Sequence, residues 1–127
     1  MVGSMIPPPP WSLVYADGAA NVYRFEATGD EVRFVYEPVT PATSSTGRYS
    51  GGAPRDERLA ADDPRLVELW RQAAALADDP THHAATRNKG DGALTLVAGG
   101  TPRRALVVRA ATRALEALLE LGFRGAP

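Results

Sequence analysis

A chain of 127 residues, 44% hydrophobic and 23% charged, has enough apolar side chain for one core and the ordinary balance of a globular protein. A formal net charge of −1 and a pI near 6.1 exclude general nucleic-acid binding, which needs a basic excess to set against phosphate. The lack of cysteine excludes disulfides, thiolate metal sites and thiol catalysis, and no apolar run reaches the length of a membrane span.

Arginine supplies all but one of the 14 basic residues, Lys89 being the exception. That bias reads as GC-rich, bacterial coding, and a reducing cytoplasm suits the composition. Residues 1–10 are expected to be an extended, proline-rich segment, since four consecutive prolines fix φ and remove donors. Met1–Ser4, ahead of the second methionine Met5, reads as a tag remnant. Residues 11–127 are expected to form a single globular α+β domain.

Three strands open that domain. Trp11–Ala16 carries Leu13, Val14 and Tyr15. Asn21–Ala27 alternates Val22, Arg24 and Glu26 with Tyr23 and Phe25. Glu31–Val39 alternates Val32, Phe34 and Tyr36 with Arg33, Val35 and Glu37. Period two, aromatic content and short Gly-Asp turns predict an antiparallel meander with one solvated face. On that face Arg24 with Glu26 and Arg33 with Glu37 are expected to pair. Asp56 and Glu57 read as part of a charged, solvated segment.

A helix is predicted over Pro64–Ala77. Asp63 caps it, Pro64 sits where the missing N–H costs nothing, and Leu66, Leu69, Trp70, Ala73, Leu76 and Ala77 form one apolar stripe. Ala93–Ala98 and Arg104–Arg109 read as strands around a Gly-Gly turn. A last helix over Thr112–Leu121, with Ala111, Leu115, Leu118 and Leu119 inward, ends at Gly122. One long helix over Arg103–Leu121 is the competing reading; the run Leu106–Val108 after a Gly-Gly turn favours strand then helix. The order β-β-β-α-β-β-α predicts a two-layer α+β sandwich: a mostly antiparallel sheet of about five strands with two helices on one face.

Two loops hold the unusual residues. In Thr40–Pro54, glycine backbones at Gly47, Gly51 and Gly52, the hydroxyls of Ser44, Ser45, Thr46 and Ser50, the charge of Arg48 and the ring of Tyr49 are the alphabet of an anion nest. The same residues also suit a long connection that satisfies its own backbone. The stretch does not match a nucleotide-binding P-loop. The second loop, 81–92, adds Arg87 and Lys89. The candidate ligand-binding set is therefore Ser44, Ser45, Arg48, Tyr49, Ser50, Gly51, Gly52, Arg87 and Lys89.

His82 and His83 follow Asp78 and Asp79, but Pro80 breaks the helix that would align them, and no third ligand has metal-site spacing. No G-x-S-x-G nucleophile motif occurs. No metal, cofactor or catalytic constellation is expected. Trp11 and Trp70 read as core aromatics, or as an aromatic patch for a partner. The expectation is a non-catalytic binding or regulatory module that engages a protein partner or a small anion through loops 40–54 and 81–92. The competing expectation is a small hydrolase or transferase built on a Ser/Arg/Tyr/His site in the same loops.

Overall fold

The structure is a computed structural model that describes residues 6–44, 46–48, 50–86, 88 and 90–124. The tag reading of Met1–Ser4 lies outside the described residues, as do the candidates Ser45, Tyr49, Arg87 and Lys89.

The elements run β1 (Trp11–Ala16), β2 (Val22–Ala27), β3 (Glu31–Glu37), β4 (Arg55–Ala60), α1 (Pro64–Asp78), β5 (Gly92–Ala98), β6 (Thr101–Val107) and α2 (Arg113–Leu118), which continues as a π-helical turn over Leu119–Arg124. All six strands join one antiparallel sheet in the order β4-β3-β2-β1-β5-β6. The meander fills one side of β1 and the β5–β6 hairpin adds to the other. Both helices cover one face, so the architecture is the expected two-layer α+β sandwich with six strands in place of five.

The additional strand is β4. Its sequence RDERLA has no apolar alternation because only Leu59 is buried, opposite Val32. Arg55, Asp56, Glu57 and Arg58 are charged, as suits an edge strand, where charge discourages pairing with another chain. The cross-strand charges also differ from expectation. Arg24 pairs with Glu37 at 2.5 Å and Arg33 with Asp56 at 2.7 Å. Both are diagonal neighbours on adjacent strands, within reach of long side chains.

The core alternates as the period predicts: Leu13 and Tyr15, Tyr23 and Phe25, and Val32, Phe34 and Tyr36 all point toward the helices. Helix α1 lays Leu66, Leu69, Trp70 and Ala73 on β5 and β6, and its Asp63 cap accepts the Arg65 N–H at 2.9 Å. Trp11 meets Trp70 edge to face at 5.1 Å, and both are buried, so they form core and no exposed aromatic patch.

Arg103–Leu121 is strand then helix. Strand β6 begins three residues earlier than read and accepts Pro102 because it too lies at the sheet edge. The last helix does not stop at Gly122. It widens and continues to Arg124, which lets Phe123 pack against Phe25 and Phe34 at 4.9 and 5.7 Å.

Candidate functional site

Strands β1, β3 and β6 finish, and β2, β4 and β5 begin, at one end of the sheet. Both unusual loops therefore rise from that end, with the β1–β2 turn at residues 17–21 between them.

The 38–54 loop, a long hairpin connection from β3 to β4, is exposed along most of its length but fixed at its base. The buried Asn21 amide oxygen accepts the Val39 N–H at 2.8 Å, and the Gly51 N–H returns to the Val39 carbonyl at 2.8 Å. The Gly51 carbonyl in turn accepts both the Tyr36 hydroxyl at 2.6 Å and an Arg124 N–H at 2.5 Å. Arg124 also bonds the Tyr23 hydroxyl, and its guanidinium lies 5.0 Å from the Tyr36 ring centre. Burial raises the Tyr23 phenol above its ordinary value. The π-helical turn at the end of the chain thus holds down a loop more than seventy residues upstream.

Above this base the loop satisfies its own main chain. The Ser44 hydroxyl accepts the Thr46 N–H, the Thr46 hydroxyl accepts the Arg48 N–H, and the Ser50 hydroxyl accepts the Gly52 N–H. The Gly47 N–H bonds the Ser44 carbonyl. None of the three glycine N–H groups that would line a nest is open to an outside anion. The serines are turn-formers here, and Arg48 is left in solvent.

The second loop stands over β5 and β6. Gly90 packs against Gly18 of the β1–β2 turn, whereas Gly51 packs against Asn21 of that same turn. Strands β2 and β1 lie between the two loops. Among the described residues, Ser44, Arg48, Ser50, Gly51 and Gly52 stay together and are not joined by a group from loop 81–92.

The histidines are committed elsewhere. His83 bridges to Val107 on the outer edge of β6, and its Nε2 lies 2.8 Å from the Leu76 carbonyl. His82 lies 3.5 Å from Asp79, which caps Thr81, and Asp78 pairs with Arg103. No group of three or more metal-ligating side chains occurs among the described residues. Among the described residues, no base lies within hydrogen-bond reach of Ser44 or Ser50.

Two other surfaces were not singled out from the sequence. The first is the helix-free face of the sheet. Charge pairs cover its β2–β3–β4 half. Over β1, β5 and β6 the side chains are small or apolar and only half-buried: Val14 lies opposite Thr95, Ala16 opposite Ala93, and Leu106 opposite Ala93. Arg24 and Arg104 flank this block on the same row. At the β3–β4 corner, a groove of about 540 Å³ lined by Val35, Pro38, Thr40, Gly52 and Pro54 joins the face to the 38–54 loop. The alternation of Val14, Thr95 and Val97 with core residues was legible, but strand order was needed to bring them together.

The second surface lies on the helix side. The Tyr15 hydroxyl donates to Glu116 at 2.5 Å across the seam between β1 and α2. Burial, and then this bond, raise the Tyr15 phenol. Burial also raises the Glu116 carboxyl, against the lowering effect of the Tyr15 hydrogen bond. Arg109, Thr112 and Arg113 line a groove above Glu116. A carboxylate beside the apolar stripe Leu115–Leu119 was the available signal for it.

No family model matches the chain, and no curated protein matches it.

Proposed function

We propose that this chain is a non-catalytic binding module that engages a protein partner through the helix-free face of its sheet and the adjoining 40–54 loop. The observation that carries this reading is the half-buried block over β1, β5 and β6, in which Val14, Thr95, Val97 and Leu106 lie together with charge held to the flanks. A continuous patch of that kind, rimmed by polar groups, is the composition of an interface centre and rim.

The loop supports the same reading. It is anchored at Gly51 and internally bonded, so a partner would meet a shape already formed and would not bear the cost of ordering it. The arginine-rich, cysteine-free composition supports a bacterial, cytoplasmic setting.

The test is a paired capture experiment. The parent chain and the double variant Val14→Asp, Val97→Asp are immobilised and exposed to the same lysate, with circular dichroism showing that both are folded. The expected result is a stoichiometric partner on the parent that the variant loses. A parent that captures nothing and sediments as a monomer would overturn the reading.

A further inference from the structure

The fold positions Arg109 with unusual care for a surface residue. Its N–H is accepted by Asp91 at 3.0 Å, and Asp91 is buried, with its other oxygen accepting the Asn88 N–H at 2.9 Å. The Arg109 carbonyl accepts the Thr112 hydroxyl at 2.9 Å. Its side-chain stem occupies the place of the side chain Gly90 lacks: a Cβ there would lie 2.7 Å from Arg109 Cδ. Gly90 holds φ +90, a conformation that favours glycine. Gly18 comes as close on the other side, where a Cβ would lie 2.5 Å from Gly90 Cα.

The guanidinium so placed has no ion pair among the described residues, and neither has that of Arg113, four residues on. Elsewhere on the chain, from Arg24 to Arg103, arginines mostly end on carboxylates. Arg109 and Arg113 line one groove of about 520 Å³. The nearest acid in it, Glu116, accepts the Tyr15 hydroxyl and pairs with neither arginine. A second groove of about 310 Å³, past Asp17, Gly18 and Gly90, shares Arg109 and Glu116 with the first.

We propose that Arg109 and Arg113 form a binding site for an oxyanion, with room in the groove for the organic part of a phosphomonoester. Planar guanidinium forks match phosphate oxygens in pairs, and two of them supply the charge a dianion needs. The adjoining space is within the range of small-molecule sites. Glu116 lines both grooves and Asp17 the second, so a bound anion lies with its charge toward the two guanidinium groups and away from these acids. The site is on the helix side of the sheet and does not depend on the partner face.

Isothermal titration at low salt, with inorganic phosphate and with glycerol 3-phosphate as probes, tests it. Arg109→Ala and Arg113→Ala are each expected to weaken binding about tenfold or more, and Arg109→Lys to restore part of it. Arg104→Ala, an arginine on the opposite face with no ion pair among the described residues, is expected to leave affinity within about twofold. Tighter binding of the ester assigns an organic ligand; tighter binding of phosphate assigns the free ion. No heat with either probe, or equal loss in all three alanine variants, would overturn the proposal.

Discussion

A side chain on Gly51 would run into Asn21, whose amide oxygen already accepts the Val39 N–H at 2.8 Å. Neither group has room to move, because Asn21 is buried and the Gly51 carbonyl is held by Tyr36 and Arg124. Gly51→Ala is therefore expected to destabilise the protein by about 1–3 kcal/mol, as overpacking does. Gly52 has φ +99, and its added Cβ would lie 3.2 Å from Arg124 Nη2, the atom that bonds the Gly51 carbonyl and must shift by only a few tenths of an ångström. Gly52→Ala is expected to cost about 1 kcal/mol, mostly from backbone conformation. Urea denaturation of both variants decides; equal midpoints for Gly51→Ala and the parent would refute the contact.

Phe123 stacks edge to face on Phe25 and carries the π-helical turn that delivers Arg124 to the Gly51 carbonyl. Phe123→Ala is expected to cost about 3–5 kcal/mol. It should also speed amide exchange in the 38–54 loop, far away in sequence. A loss of stability with unchanged exchange in that loop would separate the two roles.

Glu116 and Glu68 predict opposite pH effects. Burial holds the Glu116 carboxyl above the ordinary value, so its folded form keeps the proton longer than the unfolded chain. Its contribution is present below the ordinary value of about 4.3 and is lost as pH rises through its folded value. Glu116→Gln removes the ionisation and keeps an oxygen for Tyr15. The variant is expected to match the parent near pH 4 and exceed its stability near pH 7. Glu68, hydrogen-bonded by Arg71 and Gln72, is lowered to about 2. Its contribution is present above the ordinary value and falls away toward pH 2 in acid. Equal pH profiles for Glu116→Gln and the parent would refute the first assignment.

Ala20 is an exposed residue at φ 74, the left-handed region. It is held there because Asp17 accepts the Ala19 and Asn21 N–H groups on either side. Ala20→Gly is expected to stabilise by about 0.5–1 kcal/mol, since relief of strain exceeds the added freedom of the unfolded chain. A lower melting temperature would show that the turn relaxes without it.

Much of this fold was legible residue by residue. Tyr23, Phe25, Phe34 and Tyr36 alternate strictly, and Asp63-Pro64 announces a helix start. Strand β4 was not legible, because an edge strand with one buried residue carries no hydrophobic period. The end of the last helix was misread at Gly122 because the reason to continue, the space between Phe25 and Phe34 that Phe123 fills, belongs to other elements.

The candidate site divides along the same line. The hydroxyls of Ser44, Thr46 and Ser50 marked a special loop, but identical residues build a nest or satisfy a turn, and only backbone direction separates the two. Arg109, Arg113 and Glu116 lie within eight residues but match no motif, and the seat that Gly90 and Gly18 give Arg109 exists only once the 81–92 loop meets the β1–β2 turn.

Composition and periodicity by themselves determined a two-layer α+β protein with two polar loops, because local side-chain alternation dictates which face of each element avoids water. Tertiary structure alone decided strand order, the charged sixth strand, the small apolar block on the open face and the Gly18–Gly90 seat beneath Arg109. Each of those depends on which distant segments become neighbours, and that is set by the packing of the whole chain.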